Sequence, residues 1–347
     1  MRRLRAWASR AWPVLLVTTL ILAALEVGLR IALATVTRES TWLETYRHYY
    51  RYEEMQTVQY LEACAQWDAR LGYRLRPGRC VFENREFRVA MEIDRLGVRD
   101  DERSLDAPEL VFLGDSYTMG WGVEGDEAFP SLVEARTGRR VLDAGISSYG
   151  TARELRLLEE IDTSRLEWLV IQYSGNDSLE NRAFVEDPAT PTMDEALYRT
   201  IVRERRPRDY PGKLVLELLP TMVRDAMVRA TGHPERTAFA QMLASERPSP
   251  HEQARDFLQL LARADHVPRH ARIVVFELGG FALGTDAFVE ALREQLRDPA
   301  LAGLRERITL VSLAAALGPE HYFVLDSHLD AQGHRIVADR VCEVIGC

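Results

Sequence analysis

From Pro108 to the C-terminus, five short apolar runs alternate with helical segments, and this alternation restricts the fold more than any other feature. ELVFLG, RRVLDAG, EWLVIQYS, ARIVVFELG and RITLVSL read as strands. AFPSLVEARTG, ending at Gly138, and TARELRLLEEID, opened by Thr151, read as helices between them. Near-continuous apolar strands separated by helices predict a parallel sheet covered on both faces, a doubly wound α/β/α sandwich of three layers. Open sheets of this kind bind ligands beyond the carboxyl ends of their strands, so the loops after each run are where chemistry is to be sought. The interval 182–270 is longer than a crossover requires. It holds RERRPRDYPGK and the amphipathic run LVLELLPTMVRDAMVRA, which reads as core or as a cap packed on the domain, with a lid over the substrate as the alternative.

The residues ahead of this domain form two further segments, 1–36 and 37–106. MRRLRAWASR is basic, and AWPVLLVTTLILAAL follows without a charge. The apolar character continues through EVGLRIALATV, where Glu26 and Arg30 are spaced to pair on one helix face. Ala11 to Val36 is long enough to span a bilayer, and the arginines before it place the N-terminus in the cytoplasm and the body outside. Pro13 to Leu25 also suits the h-region of a cleaved signal, with Ala32-Leu33-Ala34 as the cleavage site, although the apolar run outlasts an ordinary h-region. Either way the body is exported. In an oxidising compartment the four cysteines suit disulfides: Cys64 and Cys80 bracket a loop, and Cys342 and Cys347 lie close together. The spacing itself leaves the connectivity open. With no C-x-x-C and no Cys near a His at ligand spacing, a zinc site is not expected.

Thr37 to Gln66 reads as a polar, solvated helix that includes the aromatic cluster TYRHYYRYEEM. Phe87, Val89, Met91 and Ile93 then alternate with Arg88, Ala90 and Glu92, the period of a half-buried strand. Together with GYRLRPGRCVFEN, they predict a small β lead-in that ends at LGVRDDE. The chain carries a net charge of −9, while its N-terminal segment is basic, so the exported body is acidic. Such a body repels phosphate, which excludes nucleic acid as a partner.

The first strand ends in VFLGDSYTMGWG, where an acid and a hydroxyl stand among glycines. Gly114 and Gly120 mark a tight turn that holds Ser116 at a strand end. A nucleophilic serine needs a base, an orienter for that base, and donors for an oxyanion. FVLDSHLDAQGH supplies His328, with Asp326 two residues earlier and able to reach the same side. Asp330 fits better as the N-cap of AQGHRIVADRVCEVI, and His334 lies inside that helix as a structural residue. DAGISSYG ends the second strand at Gly145, whose missing side chain would let its N–H face the serine. YSGNDSLEN ends the third at Asn176, whose amide can donate to the same oxygen. Each block alone could be an ordinary turn, but four blocks at the carboxyl ends of one sheet converge on a site.

These blocks resemble those of the SGNH/GDSL hydrolase family: GDSYTMG its nucleophile block, DAGISSYGT its glycine block, SGND its asparagine block and DSHLDAQGH its histidine block. The resemblance runs from about Leu110 to the C-terminus in the family's order. It implies a flavodoxin-like five-stranded sheet, Ser116 as nucleophile, and His328 as base with Asp326. It also implies an oxyanion hole of the Ser116 and Gly145 N–H groups and Asn176, with neither metal nor cofactor. Three positions depart from the common pattern. Only Ser327 separates Asp326 from His328, Ser174 stands where a glycine is frequent, and Asp330 stands where an asparagine is frequent. The lead-in and the N-terminal segment look like those of exported bacterial members. The reaction implied is ester hydrolysis through an acyl-serine, on O-acyl groups of envelope carbohydrate or lipid. O-acyl transfer to a surface polysaccharide and a non-catalytic envelope assembly role are the alternatives.

Overall fold

The computed structural model describes residues 2–35, 56–84, 86–204, 210–231, 248–279, 286–323 and 326–347. The chain falls into two compact units, Met1–Met55 with Pro207–Glu246, and Gln56–Arg206 with Arg247–Cys347.

The larger unit opens with two antiparallel pairs. Strand β1 (Ala65–Asp68) pairs with β2 (Gly72–Leu75), and β3 (Gly78–Glu83) pairs with β4 (Arg88–Ile93). In β4 the alternation anticipated from sequence holds, with Val89, Met91 and Ile93 inward and Arg88, Ala90 and Glu92 outward. The polar-helix reading of 37–66 does not hold where it can be seen. Residues 37–55, including TYRHYYRYEEM, lie outside the described residues. Val58–Tyr60 is a single 3₁₀ turn, and the chain is already in β1 by Ala65. Cys64 is bonded to Cys80 and Cys342 to Cys347, with Cα separations of 5.3 and 5.0 Å.

The main sheet contains β5 (Leu110–Leu113), β6 (Val141–Asp143), β7 (Trp168–Tyr173), β8 (Arg272–Glu277) and β9 (Ile308–Val311). All neighbours are parallel, in the order β6-β5-β7-β8-β9. Because successive side chains alternate across a strand, β5 sends Val111 and Leu113 to one face and Leu110 and Phe112 to the other. The first face is covered by α3 (Thr151–Leu158), α4 (Asp177–Glu186), α7 (Pro250–Arg263) and α8 (Ala287–Gln295), through Leu155, Phe184, Phe257 and Phe288. The second is covered by α2 (Phe129–Thr137) and α9 (Ala331–Ile345), through Phe129, Val133, Val337 and Val341. Each such side chain, fully buried, contributes roughly 1.5–3 kcal/mol, and together they make the expected three-layer α/β/α sandwich rigid. Gly138 ends α2 in a left-handed cap, and Asp330 caps α9 by accepting from the N–H groups of Gln332 and Gly333, both as read from sequence. Thr151 begins α3, but its hydroxyl bonds Asp177 and does not cap the helix. The interval 182–270 is heterogeneous. It holds the short helix α5 (Glu195–Glu204) and the crossover helix α7 as well as the amphipathic run.

That run belongs to the smaller unit. Helix α1 (Arg2–Thr35) contains a 22-residue apolar stretch, Trp12–Leu33, of mean hydropathy 2.1, long enough to cross a membrane and equally suited to a signal sequence. Leu214–Leu218 forms one π-helical turn that continues into α6 (Leu219–Ala230). Within that unit, Leu214, Leu218 and Met222 of the run pack on Leu29 and Leu33 of α1. Glu26 pairs with Arg30 at 2.8 Å and also accepts the Val215 N–H at 3.1 Å, which satisfies a buried charge on an apolar helix.

Candidate active site

The strand order reverses direction at β5, so the loops after β5 and β7 diverge from one crevice. Ser116 follows β5 and Asn176 follows β7. The turn after β5 is tight because its first residue has no side chain. A Cβ at Gly114 would fall 2.6 Å from Gln172 Oε1 and collide outright with Thr118 Oγ1. Gln172, on β7, accepts from the Asp115 N–H at 3.0 Å and the Thr118 hydroxyl at 3.1 Å, tying the turn to the neighbouring strand. Asp115 Oδ1 accepts the Tyr117 N–H, and the Trp121 N–H closes on the Ser116 carbonyl.

The histidine block arrives from between β9 and α9. The bridge between Tyr322 and Leu329, with bonds from Phe323 N–H to the His328 carbonyl and from Asp330 N–H to the His321 carbonyl, folds it into a closed loop. The Tyr117 hydroxyl donates to the Ser327 carbonyl at 2.9 Å and draws the two loops together. His328 Nε2 lies 2.7 Å from Ser116 Oγ, and His328 Nδ1 lies 2.5 Å from Asp326 Oδ1. Burial opposes ionisation of Asp326, but the charge of His328 and hydrogen bonds from His328 and Trp121 outweigh it and hold the carboxyl below its ordinary range. Hydroxyl, imidazole and carboxylate are therefore aligned for proton transfer.

The other two sequence-read donors are close to this turn but already engaged. Gly145 was expected to turn its N–H toward the serine, whereas here that N–H donates to Asp143 Oδ1 at 2.9 Å. The absence of a side chain serves a different need, since a Cβ at Gly145 would lie 2.8 Å from the Thr118 carbonyl carbon, inside the backbone of the nucleophile turn. Asn176 Nδ2 donates to Asp115 Oδ2 at 3.2 Å, which uses one of its two amide hydrogens. Burial raises the pKa of both Asp115 and Asp143. His334 is structural, as read. Its Nδ1 accepts the Phe129 N–H at 3.2 Å, and burial pushes its pKa down to about 3.

Sequence reading missed the residues that brace these loops. The buried guanidinium of Arg99 donates to the carbonyls of Met119, Gly120 and Val123 at 3.2, 2.6 and 2.8 Å. Gln59 bonds both serines of the glycine block, Ser147 and Ser148, at 3.0 Å. Trp121 stacks on the His328 ring, with centroids 4.5 Å apart, and its Nε1–H reaches Asp326 Oδ2 at 2.8 Å. The one available signal was the placement of so large a ring between two glycines in MGWG. Among the described residues no cluster of His, Cys, Asp and Glu could hold a metal ion.

A parallel sheet covered on both faces, with a hydroxyl, an imidazole and a carboxylate aligned at its switch point, has the arrangement expected of an ester hydrolase. The family is fixed by sequence: the chain belongs to the GDSL-like lipase/acylhydrolase family, whose model matches residues 112–336. No curated protein matches the chain in sequence. Among solved structures it is similar to TesA, at 15% identity and a TM-score of 0.39 over 68% of this chain and 97% of that one. It is also similar to Axe2, an acetylxylan esterase from Geobacillus stearothermophilus, at 15% identity and a TM-score of 0.32 over 69% and 94%. The lipase Lip_vut3 from a goat rumen metagenome matches at 15% identity and a TM-score of 0.35 over 68% and 96%. At such scores none of them bears on the substrate.

Proposed function

We propose that the protein is an exported serine esterase that removes short O-acyl groups, acetyl foremost, from envelope carbohydrate or lipid. The observation that carries the mechanism is the unbroken line from Ser116 Oγ to His328 Nε2 at 2.7 Å and from His328 Nδ1 to Asp326 at 2.5 Å. As Ser116 Oγ bonds to the ester carbonyl carbon, His328 takes its proton and Asp326 holds the resulting imidazolium in orientation. The tetrahedral oxyanion is received by the Ser116 N–H, the second amide hydrogen of Asn176 and the Gly145 N–H. The last of these must leave Asp143, whose burial raises its pKa and so favours the neutral form, a weaker acceptor. His328 then returns the proton to the leaving alcohol as the C–O bond breaks. Water, deprotonated by the same imidazole, releases the acid and regenerates the serine. The apolar helix at the N-terminus supports retention at the inner membrane with the body outside, release after cleavage near Ala34 being the other outcome.

Fluorophosphonate labelling tests the nucleophile: wild type labels and Ser116→Ala does not, while equal labelling of the two overturns the assignment. Hydrolysis of acetyl through octanoyl aryl esters, with and without a sugar acceptor, then separates hydrolysis from transfer. Acceptor-dependent acyl sugar with little free acid would replace the esterase reading by that of an O-acyltransferase using the same acyl-serine.

A further inference from the structure

Trp121 lies inside the nucleophile loop, is almost wholly buried, and touches both partners of the serine at once. Its ring lies nearly parallel to the His328 ring, at an interplanar angle of 15°. Its Nε1–H donates to Asp326 Oδ2, the carboxylate oxygen that does not face His328, whereas Oδ1 takes the imidazole Nδ1–H and the His328 backbone N–H. A carboxylate anchored at both oxygens cannot rotate about its last torsion, so Oδ1 stays on the imidazole axis. Only one residue separates Asp326 from His328, and the His328 backbone N–H holds Oδ1 while the Trp121 indole holds Oδ2. We infer that Trp121 is a positioning residue of the reaction, setting Asp326 through its indole N–H and His328 through its ring face.

Trp121 is itself placed from the β lead-in. Phe82, on β3, meets its ring edge to face at a centroid distance of 4.6 Å, and Phe87 lies beside it at 6.4 Å. Arg99 grips the carbonyls on either side of Trp121, those of Gly120 and Val123. The lead-in thus reaches Asp326 and His328 through Trp121. The stacked indole also offers its negative face to the imidazolium that forms during acyl transfer, an interaction realised only once the proton has moved.

This inference rests on the assignment of Ser116, His328 and Asp326, and the test separates the two. Trp121→Phe keeps an aromatic ring and removes the N–H. Replacing the Trp121 indole by its benzothiophene isostere, through amber suppression, removes the N–H while preserving shape and fold. Both are measured by kcat and KM on an aryl acetate, alone and combined with Asp326→Asn. Loss of a hydrogen bond to a charged group is expected to lower kcat about 10- to 100-fold, with KM changed less than about threefold. On the Asp326→Asn background the same replacements are expected to cost less than about threefold, because the carboxylate charge that the N–H meets is already gone. A benzothiophene variant within about twofold of wild type, or equal losses on both backgrounds, overturns the assignment of Trp121. Activity retained by Ser116→Ala would instead overturn the underlying mechanism.

Discussion

Replacing Gly145 by alanine tests how rigidly the nucleophile turn is packed. The added Cβ would lie 2.8 Å from the carbonyl carbon and the Cβ of Thr118, against 3.4–4 Å for ordinary contact, and the Met119 nitrogen is nearer still. Two of these three neighbours are backbone atoms, so no flexible side chain can swing aside. The turn must therefore back away by roughly 0.6–1 Å, the overpacking response that typically costs about 1–3 kcal/mol. Ser116 rides on that turn, and its hydroxyl starts 2.7 Å from His328 Nε2. A retreat of that size takes the pair to about 3.3–3.7 Å, at or beyond the limit of a hydrogen bond. Misplacement by about 1 Å at a reacting centre costs about 100-fold in rate. The assay is kcat/KM on an aryl acetate beside a thermal melt, with Gly303→Ala as control, since nothing lies within 4 Å of a Cβ there. Gly145→Ala is expected to lose about 100-fold in kcat/KM and a few degrees in Tm, and Gly303→Ala neither. Full activity and an unshifted melt in Gly145→Ala would show that turn and glycine block slide past each other freely, refuting the reasoning.

Burial holds His334 neutral, with its pKa pushed down to about 3 in the fold against about 6.5 for a free imidazole, so the unfolded chain binds this proton first as pH falls. Its contribution is present above about pH 6.5 and is lost progressively toward pH 3, at up to about 1.4 kcal/mol per unit; the melting temperature of His334→Gln should fall less steeply than that of wild type over this window, and parallel curves would remove the role. For the N-terminal helix, the full chain is expected to stay with membranes through alkaline carbonate washing, while a chain beginning at Thr37 is recovered in the soluble fraction. Release of the full chain, shortened to a new N-terminus near Ala34, would establish the cleaved signal.

What could be read from sequence was whatever local chemistry dictates. Strand runs such as LVFL and WLVIQY are buried on both faces and so are apolar apart from Gln172, and their alternation with helices leaves little choice of topology. Asp330 could be recognised as a cap because capping is settled within four residues. Ser116 and His328 could be placed at strand ends, and the fold then brought them within 2.7 Å although 212 positions separate them. Gly145 shows where such reading stops. Residue type announces a close backbone approach but not the direction of an N–H, and here a carboxylate two positions earlier takes it. The polar-helix reading of 37–66 failed over 56–66, where Val58–Tyr60 makes only a 3₁₀ turn and strand pairing, Ala65 opposite Leu75, takes the chain into β1.

The lead-in exposes a deeper limit. Alternation in β4 told which residues turn inward but not what they meet, and on the paired strand β3 the inward Phe82 meets Trp121, 39 positions away in the chain. The guanidinium of Arg99 is buried and spends its donors on three carbonyls of the nucleophile loop. Leaving those carbonyls unpaired would cost about 1–3 kcal/mol each, so the loop's conformation and the arginine's burial sustain one another. Gln59 holds the glycine block through the hydroxyls of Ser147 and Ser148, and Asp100 accepts the Asp143 N–H at 2.7 Å at the end of β6. Gln56–Arg206 and Arg247–Cys347 accordingly form one compact unit. Short strands of three or four residues cannot by themselves fix the loops that leave them, and a second layer of side chains supplies the missing constraints. Residues 56–100, though they precede the hydrolase blocks in sequence, are therefore part of the scaffold that sets the geometry of the site.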